Sequence, residues 1–275
     1  MQFIKRGSVA FGVTASLLLT ASARSQSPKP TIQLMSTARQ PAGAATKDLP
    51  QAAATPLAHV LRWAEIARQR ADKIDDYACT FIKRERIDNE LGEYQQMQIR
   101  IRHRPFSIYA RYQAPASMAG RKAVWVAGQN NGKLLAEGTG LQSLAGTMSL
   151  DPNGYLAMHG NLYPITEIGI RNLADKMLNT TQQDAKLSKA DITFRQHAKV
   201  GDRACVCIQL VHPVAKTGLR YHMTRIYVDE KLLLPIRFEG YTWPSTPGGE
   251  PVLIEEYTYM NLRLNNGFAD RDFQL

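Results

Sequence analysis

Two adjacent glutamates, Glu255 and Glu256, form the pair of carboxylates whose spacing first suggests acid–base chemistry. They lie in Val252 to Leu262, where apolar and polar residues alternate as in a β-strand. Because successive side chains of a strand point to opposite faces of the sheet, the two carboxylates cannot face each other as an acid–base pair. One of them can point into the protein as a candidate functional group. The simpler interpretation is an ion pair with Arg237 or Arg263.

Other groupings of reactive side chains are sparse. The six histidines, at positions 59, 103, 159, 197, 212 and 222, include no i, i+4 pair that could bind zinc from one helix. His212 and His222 could meet across two strands, but a pair without a third ligand does not satisfy zinc. The chain has no G-x-S-x-G motif, no P-loop and no G-x-G-x-x-G motif. The sequence therefore predicts no catalytic residue, no metal site and no cofactor.

The three cysteines leave two alternatives open. Cys205 and Cys207 lie on one predicted strand and share a face, so they cannot easily bond to each other. In an oxidising compartment, Cys79 could form a disulfide with Cys205 or with Cys207. The alternative is three buried, reduced thiols.

The N-terminus indicates the compartment. Lys5 and Arg6 precede a short apolar stretch, Val9 to Leu19, and an A-S-A sequence follows that ends at Ala23. This is the layout of a secretory signal peptide. The apolar stretch is shorter than the roughly 20 residues that a membrane helix needs. We therefore expect residues 1–23 to be cleaved after Ala23, and the mature chain to be an exported, soluble, periplasmic protein.

Residues 24–56 contain five prolines and no aromatic residue, so they cannot bury enough apolar surface to fold alone. We expect a disordered leader there and a single folded domain over residues 57–275. The whole chain has a net charge of +10. Export argues against nucleic acid as the partner. The basic charge is compatible with an anionic membrane surface or with an ordinary solvated surface, and the sequence does not reveal the oligomeric state.

The element pattern predicts an α+β fold. Thr55 and Pro56 are typical of a helix start, and apolar residues follow at helical spacing up to Ile74. About five strands come next, then a second helix capped by Thr166, then about five more strands. Short connections predict antiparallel pairing. We expect a curled antiparallel sheet whose concave side is covered by the helices.

The predicted strands carry more apolar side chains than one helix can cover, so the excess is either solid core or the lining of a cavity. Alternation assigns a set of these side chains to the inner face. The candidates for lining a ligand cavity are Ile99, Ile101, Phe106, Ile108, Ala110, Trp125, Ile226 and Phe238.

Five ordered blocks carry a family resemblance. They are Asp76–Glu85 (DYACTFIKRE), Arg104–Tyr109 (RPFSIY), Tyr163–Gly169 (YPITEIG), Leu234–Arg237 (LPIR) and Glu255–Tyr259 (EEYTY). Over residues 57–275 the chain resembles an exported family catalogued as a domain of unknown function, DUF1571. The wider pattern is distantly similar to the LolA-like lipoprotein carriers and the RseB-like envelope sensors.

The resemblance implies an incomplete β-barrel, LolA-like, with helices covering an apolar cavity. It implies a periplasmic binding or carrier protein for a hydrophobic ligand, acyl or lipid-bearing, or for a lipoprotein. The missing catalytic constellation favours this function over an enzyme. The alternatives are an envelope hydrolase acting on a cell-wall or polysaccharide polymer, and an envelope-stress sensor module.

Overall fold

A computed structural model describes residues 55–275 of the chain. The predicted signal peptide, its cleavage after Ala23 and the predicted leader up to residue 54 lie outside the described residues. Within residues 55–275, the helices are Pro56–Asp72 (α1), Tyr155–Met158 (α2) and Ile170–Leu187 (α3). The strands, in chain order, are Asp76–Ile87 (β1), Glu90–Leu91 (β2), Gln95–His103 (β3), Phe106–Ala114 (β4), Lys122–Val126 (β5), Leu134–Glu137 (β6), Thr147–Leu150 (β7), Asp191–Val200 (β8), Arg203–Val211 (β9), Met223–Asp229 (β10), Pro235–Thr242 (β11) and Val252–Leu264 (β12).

All twelve strands belong to one antiparallel sheet. Its order is β7-β6-β5-β4-β3-β1-β12-β11-β10-β9-β8, and β2 pairs with β1 outside that path. The terminal strands β7 and β8 do not pair with each other, so the sheet does not close into a barrel. The predicted α+β class and the incomplete barrel are therefore confirmed. The strands that the sequence pattern missed are β2, which is too short to show a period, and β7, in a stretch without clear alternation.

The pairing register divides the sheet into two faces, which we call inner and outer. Phe238 pairs with Ile226 on one side and with Tyr257 on the other, and Tyr257 pairs with Lys83. Directly paired residues share a face, so these four side chains define the inner face, on which α1 and α3 pack. The helix stripe of α3 consists of Ile170, Leu173, Ala174, Met177, Leu178 and Thr181, all buried.

Helix α1 begins as the sequence predicts. The Thr55 side-chain oxygen accepts a hydrogen bond from the Ala58 amide at 3.2 Å, and Pro56 occupies the first turn. Its buried side includes Val60 and Trp63, and His59 stacks on Phe194 of β8 with ring centroids 4.4 Å apart. No helix among residues 55–275 has the length and apolarity needed to cross a membrane.

The predicted start of the second helix at Thr166 is wrong. Thr166 lies in a short 3-10 turn, Ile165–Glu167, and α3 begins at Ile170 after Gly169. The hydroxyls of two buried tyrosines on the inner face accept hydrogen bonds from the first backbone amides of α3, in place of a capping side chain. The Gly169 amide donates to the Tyr259 hydroxyl at 3.0 Å, and the Ile170 amide donates to the Tyr77 hydroxyl at 2.9 Å.

Gly169 is required at this junction. Its φ of 145° lies in a region that favours glycine, and an added Cβ would lie 3.4 Å from the Tyr77 hydroxyl and 3.5 Å from Ile101 Cδ1. The tyrosine hydroxyls therefore fix the beginning of α3 above strands β1 and β12, which sets the space between helix and sheet.

Candidate functional site

A cavity of about 480 Å³ lies between the inner face, α3 and the segment from Ala157 to Gly169. One part of its wall is apolar. This part consists of Phe81, Met97, Ala110, Ala123, Leu134, Ile165, Ile168 and Leu173. The other part carries charged and hydrogen-bonding side chains. Among them are Lys83, Glu85, Asn161, Tyr163, Lys176, Arg220 and Tyr257, and the carboxylates Glu167 and Asp175 also line the cavity.

The polar part is organised around Glu255, which is fully buried. Its Oε1 accepts hydrogen bonds from the hydroxyls of Tyr163, at 3.1 Å, and of Tyr221. The Arg220 guanidinium lies 3.2 Å from the same oxygen. The Tyr257 hydroxyl donates to Oε2 at 2.7 Å. Burial of this carboxylate is therefore offset by an ion pair and three hydroxyl donors.

A second buried carboxylate, Glu85, lies beside the first. Its Oε2 accepts from Lys83 Nζ at 2.7 Å and from the Leu162 amide at 3.2 Å. The Tyr257 hydroxyl oxygen is 2.6 Å from Glu85 Oε1 as well as 2.7 Å from Glu255 Oε2, so it lies between the two carboxylates and can donate its single proton to only one of them at a time. Lys83 also donates to Asn161 Oδ1 at 2.5 Å, which ties β1 to the segment before α3.

The tyrosines of this cluster are held in their neutral form. Burial, followed by the nearby negative charge of Glu255, raises the pKa of Tyr221 and of Tyr257 far above the usual value. The same two causes raise the pKa of Tyr163. These hydroxyls remain donors throughout the physiological range, so they can hold the carboxylates but cannot act as bases.

Two cations flank the ring of Tyr163. Lys176 Nζ lies 3.5 Å from the ring centroid, and Arg220 Cζ lies 5.2 Å from it. Burial lowers the pKa of Lys176, and the neighbouring Arg220 lowers it further, whereas Glu255 opposes the shift.

The eight side chains that the sequence assigned to a cavity all lie on the inner face, and they line the main cavity, line one of two smaller cavities, or belong to the core. Ala110 lines the main cavity. Phe106 lines an adjoining cavity of about 210 Å³ beside the start of α3, and Ile226 and Phe238 line a much smaller one of about 20 Å³ under α3. The other residues are core, with Trp125 only half-buried; these are Ile99, Ile101, Ile108 and Trp125.

The three cysteines are buried and free. Cys79 is on the inner face of β1, because it pairs with Ile99 beside Met97. Cys207 pairs with Tyr227, which pairs with Arg237 on the outer face. Three strands separate β1 from β9 in the sheet. Of the two alternatives that the sequence left open, this structure has the three reduced thiols.

Glu256 and the histidines have structural surroundings. Glu256 is on the outer face, where it forms an ion pair with Arg237, as the simpler interpretation of the glutamate pair predicts. The His222 ring contacts the carbonyl of His212 at 2.9 Å, so the two imidazoles do not form a ligand pair. Among residues 55–275, no three His, Cys, Asp or Glu side chains are grouped so that they could hold a metal ion.

The sequence singled out Glu255 as one of two candidate glutamates and missed the rest of the polar cluster. A second local signal is the alternation of β1, which places Lys83 and Glu85 on the same face as Phe81. Two charges continuing an apolar stripe indicate a buried polar site. Their partners come from segments 77 to 172 residues further along the chain, which local periodicity does not reveal.

The family profile described as "Protein of unknown function (DUF1571)" matches residues 74–275. No curated protein matches the sequence. Among solved structures, the chain is similar to the lipoprotein LppX of Mycobacterium tuberculosis, with 9% identity, a TM-score of 0.43, and coverage of 76% of this chain and 97% of that one. A LolA superfamily protein from Nitrosomonas europaea has 12% identity, a TM-score of 0.34 and coverage of 78% and 97%. A DUF1329 family protein from Desulfovibrio piger has 13% identity, a TM-score of 0.37 and coverage of 80% and 97%.

Proposed function

We propose that this chain, which belongs to the DUF1571 family of proteins of unknown function, is a carrier that holds one acyl-bearing ligand in the cavity between its inner face and α3. The observation that carries the proposal is the cavity itself. Much of the rest of the inner face is filled by side chains that are almost completely buried, whereas here about 480 Å³ stays open against an apolar wall.

The dimensions and the composition of the cavity suit a small amphiphile. Pockets for small molecules usually measure about 300–1,000 Å³ and combine an apolar lining with a few polar groups. An acyl chain laid against Phe81, Met97 and Leu134 would leave water, and each buried methylene would contribute about 0.8 kcal/mol. An apolar wall that faces water has no such compensation, which favours an occupant.

The two buried carboxylates support binding over hydrolysis. A glycosidase-type mechanism needs one carboxyl that protonates a leaving group and one carboxylate that attacks or activates water. Glu85 Oε2 accepts from Lys83 and Glu255 Oε1 accepts from Tyr163, and the single hydroxyl proton of Tyr257 serves either Glu85 Oε1 or Glu255 Oε2. This arrangement suits a wall that holds its shape. The envelope hydrolase and the stress sensor are the competing functions.

The proposed place of action is the periplasm. This part of the proposal rests on the basic start, the apolar stretch and the small residues ending at Ala23. A fusion of residues 1–30 to a reporter that is active only outside the cytoplasm should be active and cut after Ala23. A silent and uncut fusion would contradict export.

The cavity is tested with the neutral apolar fluorophore N-phenyl-1-naphthylamine. The native chain should bind it saturably with one site. Ala110→Phe projects a ring from the cavity wall and should abolish this binding while the chain remains folded. Ala185→Phe, on an exposed position of α3, should leave it unchanged.

A second blocking variant, Ala123→Leu, covers the case in which Ala110→Phe disturbs the sheet, because Ala123 pairs directly with Ala110 across β4 and β5. Native mass spectrometry of the protein isolated from its envelope should show one bound acyl compound. Absence of saturable binding, or full binding by a folded Ala110→Phe variant, would overturn the proposal. Steady release of a cleaved product would favour the hydrolase.

A further inference from the structure

We infer that the polar end of the cavity recognises the acidic head group of the ligand, a carboxylate or a phosphate, and that Lys176 is its principal cation. This inference rests on the proposed function and specifies the chemical class of the ligand as an anionic amphiphile. Four observations support it: the position of Lys176, the pairing of its charged neighbours, the free donors at this end, and the adjoining apolar wall.

Lys176 lies on the side of α3 that faces the cavity, as do Leu173 and Thr180, one turn before and one turn after it. Its ammonium group is over the ring of Tyr163, 3.5 Å from the centroid. Within residues 55–275, Lys176 forms no ion pair. A half-buried ammonium group that faces a cavity without a carboxylate partner favours an anion in that cavity.

The charges around Lys176 are already paired. Lys83 pairs with Glu85 at 2.7 Å, and Arg220 pairs with Glu255 at 3.2 Å. On the helix itself, Asp175 pairs with Arg68 of α1 at 3.3 Å. The remaining carboxylate of the cavity wall, Glu167, is exposed to solvent, and its charge favours the charged form of Lys176 without forming an ion pair with it. The ammonium group of Lys176 therefore keeps its N–H donors available to a ligand in the cavity.

The same end of the cavity has free hydrogen-bond donors. An ammonium group has three N–H donors, and Lys83 uses two of them on Glu85 and Asn161. The Arg220 guanidinium has five donors and makes one ion pair. A carboxylate or phosphate beside Tyr163 could accept from Lys176 and Arg220 together. Charge-assisted bonds of this kind are the strong class of hydrogen bond.

The cation and the apolar wall belong to one continuous cavity. A ligand that places its acidic group at Lys176 can therefore lay its chain along Phe81, Met97 and Leu134. An uncharged ester of the same chain would keep the apolar contacts and lose the charge-assisted bonds. This difference separates head-group recognition from simple burial of a chain.

The test compares dodecanoic acid, dodecyl phosphate and methyl dodecanoate as competitors of N-phenyl-1-naphthylamine on the full folded chain. The native protein should bind the better of the two acidic ligands about 10- to 100-fold more tightly than the ester, as charge-assisted hydrogen bonds imply. Lys176→Gln should lose this preference and leave the affinity for the ester unchanged. Lys176→Arg should retain most of the preference.

The matched control is Lys186→Gln, an exposed position on the same helix, which should keep the full preference for the acid. Lys176→Met preserves the apolar stem of the side chain and repeats the test if glutamine disturbs packing. The tighter of the two acidic ligands identifies the head group as carboxylate or phosphate.

Two results would overturn the inference while the carrier function stands. One is equal affinity of the native protein for the ester and for both acids. The other is an unchanged preference in a folded Lys176→Gln variant. If none of the three compounds displaces the fluorophore and the fluorophore itself does not bind, the carrier function fails instead.

Discussion

Glu255 and Glu256 are neighbours in sequence and lie in two very different buried clusters. The inner cluster, defined as Lys83, Glu85, Glu255 and Tyr257 with the residues that contact them, lines a cavity. The outer cluster is defined as Arg237, Glu239, Glu256 and Thr258. The inner cluster is built on β1 and β12 and the outer cluster on β11 and β12, so the two clusters share β12.

The outer cluster is complete in itself. Arg237 donates from Nε to Glu239 Oε1 at 2.8 Å, from one terminal nitrogen to Thr258 and from the other to Glu256. The second oxygen of Glu239 accepts from the Tyr241 hydroxyl at 2.9 Å. Every nitrogen of the guanidinium has a partner, and the acids that contact it are nearly fully buried.

Each carboxylate of the inner cluster also has an ion pair, but the cluster adjoins open volume and the cation Lys176, which forms no ion pair with any residue that the structure describes. Buried charge alone therefore does not indicate a functional site, because the outer cluster is as buried as the inner one. An open cavity beside an unpaired charge distinguishes a site for a ligand from a structural network.

The largest expected effect comes from breaking the outer cluster. Arg237→Met would leave Glu256 buried without its cation and Glu239 with only Arg225 at 3.6 Å, so the free energy of unfolding should fall by about 3–5 kcal/mol. Urea unfolding measures this loss, and Arg263→Met, an exposed position of β12, is the control. Binding of the apolar fluorophore should persist below the transition. A cost under about 1 kcal/mol, the range of surface ion pairs, would contradict the structural role.

Truncating a fully buried side chain of the inner face should lower the free energy of unfolding by somewhat less than Arg237→Met does. Ile101 is fully buried, and Ile101→Ala should lower the free energy of unfolding by about 2–5 kcal/mol, because it opens a new void. Leu134→Ala enlarges a cavity that already exists, and its cost should lie at or below the low end of that range. Denaturant unfolding of both variants checks the order. The reverse order would mean that the cavity wall is packed as tightly as the core.

The two adjacent glutamates provide the sharpest comparison. Glu255→Gln and Glu256→Gln each weaken charge-assisted hydrogen bonds, and each should cost about 1–3 kcal/mol of unfolding free energy. Only Glu255→Gln should change ligand binding. Removing its negative charge beside Lys176 should strengthen the binding of dodecanoate, whereas Glu256→Gln should leave it unchanged. Equal effects of the two variants on binding would remove the functional distinction between the faces.

The binding of an acidic ligand should weaken at alkaline pH. Burial lowers the pKa of Lys176 below its ordinary 10.5, so its positive charge is present below that lowered pKa and is lost as pH rises through it. Several charged or titratable groups face it from neighbouring elements. They are Glu85, Tyr163, Glu167, Asp175, Arg220 and Glu255.

Affinity for dodecanoate, measured from pH 7 to pH 10, should therefore decrease, while affinity for the methyl ester should stay flat. Lys176→Gln should abolish the difference between the two profiles. A profile that rises with pH would contradict a cationic head-group site.

The smallest expected effect is a low reactivity of the three cysteine thiols in the folded protein. Burial raises the pKa of Cys205 to about 12 and raises the pKa of Cys79 and of Cys207, so the folded protein should react slowly with a thiol reagent at pH 8. Three thiols should react after unfolding in denaturant without reductant. One reactive thiol would instead support the disulfide between Cys79 and Cys205 or Cys207.

The sequence alone predicts most of the elements and which side chains share a face of the sheet. Alternation in β3, β4, β5, β10 and β11 assigned to one face eight side chains that the pairing register places on the inner face, because the period of a strand is local. It also predicted the Thr55 cap and an ion pair between the glutamates and Arg237 or Arg263, of which Arg237 pairs with Glu256.

The position of the cavity on the inner face and the charges that meet beside it depend on the tertiary structure. The contact between Glu85 and Tyr257 spans 172 residues, and it depends on a strand order and a bulge in the β1–β12 register that no local pattern encodes. Two tyrosine hydroxyls of the sheet hold the first residues of α3 above the inner face. The sequence predicted Thr166 as the cap of this helix instead. Periodicity tells which side chains face inward, but the volume left between them depends on how distant elements are held apart.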